Sequence, residues 1–294
     1  MKHRLLQSSL LIASVFTFGD PGLHAGQPLI ESKLAALASS GEASARHSAG
    51  AFSDFNGDGL TDLVWQGANG FLAFYIMEGT SASYGLTPFT VPAGWEIVAT
   101  ADFNRDGYAD MVLVHSDGSV AFWFMTGTAI ASGVIPYKVP DGWKIIGTGE
   151  FNADGHPDIV LAHSDSSLAF WLMDGTAIKA GVVPLTVPIG WQIAGFGDFD
   201  GDSQSDIVLV NGEGHVAFWL MNGTSISQGI ISYGVPAGWQ LLGAGDMDAD
   251  GQSDLILRNQ DQYLAFWLVQ KTQVKGVGGP IKFTEDNWKL AGPR

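Results

Sequence analysis

The chain has 294 residues, of which 46% are hydrophobic and 15% charged, and its formal net charge is −16. This composition supplies ample material for a core and excludes a disordered chain, while 14 basic against 30 acidic residues argue against nucleic acid as a partner. The absence of cysteine excludes disulfides, thiol nucleophiles and thiolate metal sites.

The N-terminal segment has the pattern of a secretory signal. Lys2 and Arg4 precede a mostly apolar stretch from residue 5 to residue 18, which is too short to span a bilayer. We therefore predict a signal peptide over residues 1–25, a linker over residues 26–50, and a protein that is secreted, periplasmic or on the cell surface, without a membrane span. An ordinary unstructured leader is the alternative.

The remainder, residues 51–294, consists of five copies of one unit about 48 residues long. The phrase DFNGDGLTD begins at Asp54. It returns in recognisable form at Asp102, Glu150, Asp198 and Asp246. A fixed period of this size is typical of folds in which each unit buries its apolar face against its neighbours.

Each unit predicts four short strands. After the acidic loop come an apolar run such as Asp158–Ala162, a second run such as Leu168–Thr176, a segment closing in VPxGW, and a last run such as Trp191–Gly197. Runs rich in Val, Ile, Phe and Trp between Gly, Pro and Asp are typical of strands. Glycine supplies the positive φ for a tight turn after the second run. The turn pairs are Glu78-Gly79, Thr126-Gly127, Asp174-Gly175 and Asn222-Gly223, with Gln270-Lys271 in the fifth copy.

The second run is apolar on both faces, as Val120–Met125 shows. Both faces must then be covered, and radially stacked sheets achieve this because each blade lies between two others. We predict an all-β fold, a five-bladed β-propeller of four-stranded antiparallel blades with one acidic loop per repeat.

The acidic loops have the spacing of a calcium site. Side-chain oxygens at positions 1, 3, 5 and 9 can converge on one hard cation, and calcium accepts six to eight oxygens at about 2.3–2.6 Å. Magnesium demands stricter geometry, and softer metals favour His or Cys. Position 7 varies freely, so we assign its backbone carbonyl. The predicted ligands for up to five Ca²⁺ ions are Asp54, Asn56, Asp58, Leu60 and Asp62; Asp102, Asn104, Asp106, Tyr108 and Asp110; Glu150, Asn152, Asp154, His156 and Asp158; Asp198, Asp200, Asp202, Gln204 and Asp206; and Asp246, Asp248, Asp250, Gln252 and Asp254.

The loop differs from an EF-hand, because position 12 holds strand residues instead of a glutamate. The aromatic residue at position 2, such as Phe55, is expected to point into the blade. Glu150, a longer ligand at position 1, and Ser203, which replaces the position 6 glycine, predict two weaker sites. A solvated polar turn without an ion is the alternative interpretation.

These loops resemble the calcium loops of integrin-α-type propellers and of the FG-GAP or VCBS repeats of secreted bacterial proteins. The resemblance rests on DFNGDGxxD followed by an apolar strand, and it covers residues 52–292. It implies a calcium-stabilised propeller of the cell surface or medium, used for adhesion or glycan binding. Integrin-type propellers have seven blades, whereas this chain has five copies.

Ring closure requires the first and last blades to pair. The run after Trp288 has no loop or further strands behind it, and residues 47–53 are a degraded copy of the equivalent segment. We therefore predict that the C-terminal strand completes the first blade.

The expected function is multivalent binding. Aromatic faces can stack on sugars, and repeated shallow sites gain avidity, so we select one tryptophan per inter-blade cleft as the candidate ligand-binding set. These residues are Trp95, Trp143, Trp191 and Trp239. The alternative interpretation is that these tryptophans pack between blades and bind no ligand. For the AFW aromatic pairs, such as Phe122-Trp123, packing between blades is the preferred interpretation. The partner is a glycan or a cell-surface protein; a calcium-stabilised scaffold for protein interactions is the alternative function.

A propeller glycosidase is the less favoured possibility. Such an enzyme needs a unique pair of carboxylates, and the acidic residues outside the loops lie mostly at turns without an evident pair. No GxSxG or HExxH motif is present. We predict no catalytic residue and no enzymatic activity.

Overall fold

The computed structural model describes residues 52–283 and 288–293. The predicted signal peptide and linker lie outside the described residues, as does most of the degraded segment 47–53. Within the described residues the chain is all-β, and its twenty strands form five antiparallel sheets of four strands each, arranged as a β-propeller. The predicted fold class is confirmed. No helix of these residues is long and apolar enough to cross a membrane.

The strands follow one another in the same order in every blade. Blade 1 contains β1 (Leu63–Gln66), β2 (Phe71–Glu78), β3 (Ser81–Thr90) and the last strand of the chain, β20 (Lys289–Gly292); blade 2 contains β4 (Trp95–Ala101), β5 (Asp110–His115), β6 (Ser119–Thr126) and β7 (Ala129–Lys138). Blade 3 contains β8 (Trp143–Gly149), β9 (Asp158–His163), β10 (Ser167–Asp174) and β11 (Ala177–Thr186). Blade 4 contains β12 (Trp191–Gly197), β13 (Asp206–Asn211), β14 (His215–Asn222) and β15 (Ser225–Gly234); blade 5 contains β16 (Trp239–Gly245), β17 (Asp254–Asn259), β18 (Tyr263–Gln270) and β19 (Gln273–Lys282).

Blade boundaries are offset from the sequence repeat by one strand. The run that follows each VPxGW tryptophan becomes the innermost strand of the next blade, so β4 belongs with β5 rather than with β3. The C-terminal run therefore supplies the inner strand that blade 1 lacks, and β20 pairs antiparallel with β1 through Val64↔Gly292 and Gln66↔Lys289. The predicted clasp is confirmed.

The closed ring brings inner strands into close approach. A Cβ atom on Gly243 of β16 would lie 2.6 Å from the carbonyl oxygen of Pro293, just past β20. Only glycine fits at that distance, since real Cβ atoms essentially never approach backbone so closely.

The hydrophobic core lies between neighbouring blades. Val112 and Phe122 of blade 2, for example, pack in one buried cluster with Ile159 and Leu161 of blade 3. Burial of a phenylalanine such as Phe122 contributes about 1.5–3 kcal/mol. Because both faces of each sheet are covered in this way, the two-sided apolar pattern of the second run is explained.

Phenylalanine at loop position 2 points into the blade, as predicted. The rings of Phe103 and Phe122 meet edge to face at 4.9 Å, and four of the five repeats have the same pair. In the fifth repeat Met247 takes the position and is fully buried. The second aromatic of the AFW motif packs between blades, since Trp171 of blade 3 meets Tyr137 of blade 2 edge to face at 5.3 Å.

The junction that closes the ring has its own aromatic packing. Trp65 is fully buried and stacks at 4.3 Å on Phe283, which follows blade 5. In the other repeats leucine occupies the position of Trp65, and valine occupies the position of Phe283. Larger side chains thus fill the junction between blades 5 and 1.

The hairpin turns use the predicted glycine, but the turn lies one residue further along. Asn222 still pairs with Ser225, so the two-residue loop is Gly223-Thr224, with a φ of +61° at the glycine. A glycine at the first central position is typical of a type II′ turn. In blade 5 the loop is Lys271-Thr272, and both residues have positive φ.

Candidate functional site

The propeller has two chemically different faces. Each full inner strand begins at a VPxGW tryptophan and ends at an acidic loop, and seven residues of strand separate the two ends by about 20 Å. We call the surface formed by the five acidic loops the loop face. The surface formed by the VPxGW turns is the tryptophan face. Loops 1 to 5 are residues 54–62, 102–110, 150–158, 198–206 and 246–254.

The carboxylate at position 1 organises the backbone of its loop. In loop 1, Asp54 Oδ1 accepts the N–H of Gly57 at 2.6 Å, and its Oδ2 accepts the N–H of Gly59 at 2.8 Å. Side chains at positions 3 and 5 each accept the N–H two residues further on, as Asn56 and Asp58 do. The loop therefore turns tightly around its own oxygen atoms.

Positions 4 and 6 need positive φ to make this turn. Position 4 has it even where it is not glycine, at Arg105, Ala153 and Ala249. Position 6 is glycine in four loops, and in loop 4 Ser203 adopts a φ of +69°. The predicted strain at Ser203 is therefore present in the backbone.

The carboxylate at position 9 fastens the loop to the third strand of its blade. Asp206 Oδ2 accepts the N–H of Phe199 at 2.9 Å, and its Oδ1 accepts the N–H of Met221 at 2.8 Å. The same two hydrogen bonds occur in all five blades, at 2.8–3.0 Å and 2.7–2.9 Å. Sequence reasoning assigned position 9 to metal binding alone and missed this structural role, although its partner lies 15 residues away in every repeat.

Position 9 is also the most deeply buried acid. Desolvation, reinforced by neighbouring carboxylates and opposed by the backbone N–H donors, raises the pKa of Asp110, Asp158, Asp206 and Asp254 to about 7. The same causes raise the pKa of Asp62 well above its usual value. Burial raises the pKa of Asp54, at position 1, to about 6. Carboxylates crowded in this way favour a bound cation, because opposite charge stabilises the ionised form.

Predicted ligands converge most clearly in loops 4 and 5. One carboxylate oxygen each from Asp198, Asp200 and Asp206 lie within 4.8 Å of one another. Asp246, Asp248 and Asp254 form the same arrangement in loop 5. In loops 1 to 3, position 3 is asparagine, whose amide oxygen is also a hard donor. Residues at position 5 lie outside these three-residue clusters.

Side chains at position 7 make contacts away from the cation position. Gln204 Oε1 accepts the N–H of Gly223 in the hairpin turn at 2.9 Å, and Gln252 Oε1 accepts that of Lys271. His156 lies 3.3 Å from the guanidinium of Arg105 in the preceding loop. These contacts leave the backbone carbonyl as the predicted ligand of position 7.

Backbone hydrogen bonds connect neighbouring loops around the ring. The N–H at position 8 donates to the carbonyl of position 1 in the preceding loop at 2.6–2.8 Å in four junctions. The donors are Thr61, Ala109, Ser205 and Ser253. At the remaining junction position 8 is Pro157, which has no N–H to donate. This connection links the ligand residue at position 1 to the next blade.

On the tryptophan face, each VPxGW tryptophan is half-buried beside its cross-strand neighbour. Trp95 and Trp143 lie against the rings of His115 and His163, with centroids 5.1 and 5.0 Å apart. In the next two blades the paired residues are asparagines, since Trp191 pairs with Asn211 and Trp239 with Asn259.

A cavity of about 1220 Å³ opens on this face, and inner strands of all five blades line it. Glu96, Lys144, Gln192 and Lys289 supply polar groups, and Lys289 pairs with Glu96. The structure brings Trp143 and Trp191 into this one cavity, whereas Trp239 lines a smaller adjoining one of about 240 Å³. Trp95 is not among the lining residues of either.

Comparison with solved structures gives matches of low identity. Raptor of Chaetomium thermophilum matches with 15% identity and a TM-score of 0.41, over 79% of this chain and 20% of that one. The Cps50 (Swd1) β-propeller domain of Myceliophteria thermophila matches with 12% identity and a TM-score of 0.38, over 74% of this chain and 64% of that one. BBS1N, in a structure of its complex with ARL6DN, matches with 15% identity and a TM-score of 0.32, over 65% of this chain and 60% of that one. This chain thus spans less than two thirds of each.

No curated protein matches the sequence. The family model described as FG-GAP-like repeat matches residues 54–113, 150–209 and 198–257. Each match runs from position 1 of one acidic loop into the strand after the next loop. The matches cover more than half of the chain, and the twenty-stranded ring agrees with them. The chain belongs to the FG-GAP-like repeat family.

Proposed function

We propose that the protein is a secreted, calcium-binding repeat protein that serves as a binding module with adhesive or lectin-like recognition. FG-GAP propellers are typically binding folds rather than enzymes, and we infer no enzymatic role. The observation that carries the calcium part is the convergence of three carboxylates in each of loops 4 and 5, of which those at positions 1 and 9 are buried.

The donor set fits calcium. It consists of carboxylate, amide and backbone oxygens without nitrogen or sulfur, and calcium tolerates the irregular geometry of such a loop. The residues that would hold the ions are those at positions 1, 3, 5 and 9, with the carbonyl at position 7. Bound calcium would supply positive charge to acids that now crowd one another. Seventeen of the 30 acidic residues lie at these positions, so the charge to be balanced is large.

Calcium titration tests this part of the proposal. Chelator-stripped protein is titrated calorimetrically, and its melting temperature is measured with calcium and with chelator. We expect several ions per chain and a large rise in melting temperature, because binding to the native state alone stabilises by about 2.7 kcal/mol per site at a hundredfold excess over Kd. A flat titration with identical melting curves would refute the calcium assignment.

Recognition is assigned to the tryptophan face. Trp143 and Trp191 line one cavity together with charged and amide side chains, a combination that suits stacking on a sugar ring and hydrogen bonding to its hydroxyls. At about 1220 Å³ the cavity exceeds a typical small-ligand pocket. A glycan or a segment of a cell-surface protein is the proposed ligand.

The half-burial of the tryptophans favours a second candidate, a calcium-stabilised scaffold for protein interactions without a small-ligand site. A glycan array and a pull-down from cell-surface proteins separate the two. Glycan signal that Trp143→Ala abolishes, with unchanged melting, supports lectin-like recognition. Clean glycan arrays with stable protein partners support the scaffold. Val183→Ser is the control, because Val183 is exposed on the outer strand of the same blade.

A further inference from the structure

Loops 4 and 5 have the same four aspartates at positions 1, 3, 5 and 9. Their surroundings differ at the third residue of the outermost strand of the blade. That residue is Ser227 in blade 4, whereas in blade 5 it is Lys275. The two loops therefore form a natural comparison of one ligand set with and without a neighbouring lysine.

The ammonium group of Lys275 lies among the predicted ligands of loop 5. Its Nζ is 2.9 Å from Asp248 Oδ2 at position 3, and it also pairs with Asp250 Oδ2 at position 5. The side chains involved are 30%, 26% and 20% exposed. The lysine thus occupies a partly enclosed position between two acids that would otherwise face a metal ion.

Another lysine at the same strand position does not do this. Lys179 of blade 3 pairs with Asp174 in the hairpin turn at 2.7 Å, where both side chains are at least half exposed. Asp174 is not a predicted ligand, although its Oδ1 lies 3.8 Å from Nε2 of His156 in loop 3, so the ammonium group of Lys179 itself pairs with no predicted ligand. Among the described residues Lys275 is the lysine whose ammonium pairs with position 3 and position 5 acids.

Resting on the calcium function proposed above, we propose that Lys275 is the built-in cation of loop 5 and competes with calcium for Asp248 and Asp250. A divalent ion at loop 5 must displace the ammonium group or bind beside it, and both cost free energy because like charges repel strongly at short range. Loop 5 therefore binds calcium about tenfold or more weakly than it would without Lys275. Lys275 also supplies one compensating positive charge to loop 5 in calcium-poor medium.

Amide hydrogen exchange, followed separately in loops 4 and 5 across a calcium titration, tests this inference. In the unmodified protein, the calcium concentration that protects loop 5 serves as the reference. In Lys275→Met loop 5 becomes protected at about tenfold lower calcium. The reciprocal variant Ser227→Lys shifts loop 4 to higher calcium. Lys179→Met is the matched control and leaves both loops unchanged.

The outcomes distinguish this inference from the calcium proposal itself. If calcium protects the loops but Lys275→Met leaves loop 5 unchanged, the role of Lys275 is wrong and the calcium function stands. If calcium protects no loop in any of the proteins, both are wrong. Melting in chelator provides a second readout, since Lys275→Met should lower the melting temperature there by leaving Asp248 and Asp250 without a counter-charge.

Discussion

The loop face and the tryptophan face are built from the same repeats, yet they vary to different degrees. On the loop face every blade repeats the two hydrogen bonds of the position 9 aspartate. On the tryptophan face the neighbour of the tryptophan changes from histidine to asparagine, and the residue after it is Glu96, Lys144, Gln192, Gln240 or Lys289. Uniformity suits one small ion bound several times. Variation suits one asymmetric ligand bound across the ring.

The largest expected effect comes from removing β20, the inner strand of blade 1 that closes the ring. A chain ending at residue 287 lacks β20, with the buried residues Leu290 and Ala291, and leaves β1 as an open edge. Truncating one buried leucine to alanine alone costs about 2–5 kcal/mol. We expect a loss of about 5 kcal/mol or more and a melting temperature at least about 10 °C lower. An unchanged melting curve would show that the clasp is dispensable.

A pair of substitutions separates structure from ion binding on the loop face. Asp206→Ala leaves the buried N–H groups of Phe199 and Met221 without their acceptor, at about 1–3 kcal/mol each, with or without calcium. Asp200→Ala removes a predicted ligand together with one exposed hydrogen bond from the N–H of Asp202, so its loss should be small in chelator and larger in calcium. Chemical unfolding in calcium and in chelator measures both. Equal losses from both variants in chelator would contradict the separate roles of positions 9 and 3.

The hydrogen-bonded chain of loops can be interrupted at one junction. Ala109→Pro removes the N–H that donates to the Asp54 carbonyl at 2.7 Å, and we expect a loss of about 1–3 kcal/mol. Proline already occupies this repeat position as Pro157, so the backbone there accepts its ring. Equilibrium unfolding measures the effect, with Ala109→Ser as the control that keeps the N–H. Equal stability of the two variants would argue against the inter-loop bond.

The strained backbone of loop 4 predicts a gain in stability. Ser203 has a φ of +69°, where the other loops have glycine. Ser203→Gly should relieve about 1 kcal/mol of strain and raise the melting temperature by about 2–4 °C. Gly251→Ser in loop 5 is the converse substitution and should lower it. A fall in melting temperature for Ser203→Gly would show that the serine side chain makes a contact that compensates for the strain.

The smallest effect is expected on the tryptophan face. His163→Asn converts the neighbour of Trp143 into the residue that blades 4 and 5 already carry, so the stability should change by no more than about 0.5 kcal/mol. Thermal unfolding at neutral pH checks this. A loss above about 1 kcal/mol would show that the ring contact at 5.0 Å is a stabilising element, and the contrast between the two faces would weaken.

The sequence by itself determined the local features of this protein. The repeat period, the strands, the turn glycines, the inward direction of Phe55 and its equivalents and the clasp by the C-terminal strand all follow from patterns within one unit, because every unit meets the same neighbours. The positive φ at Ser203 also followed, since glycine fills that position elsewhere.

Only the tertiary structure decided which distant atoms meet. Each position 9 aspartate accepts a backbone N–H that lies 15 residues further along the chain. The N–H at position 8 donates to the preceding loop, and Lys275 approaches Asp248. All three contacts depend on how the strands curve and how the blades face one another. The sequence alone does not show whether each VPxGW tryptophan lines a separate cleft or whether several line one shared cavity. The ring geometry joined Trp143 and Trp191 in one cavity, because inner strands converge on the axis.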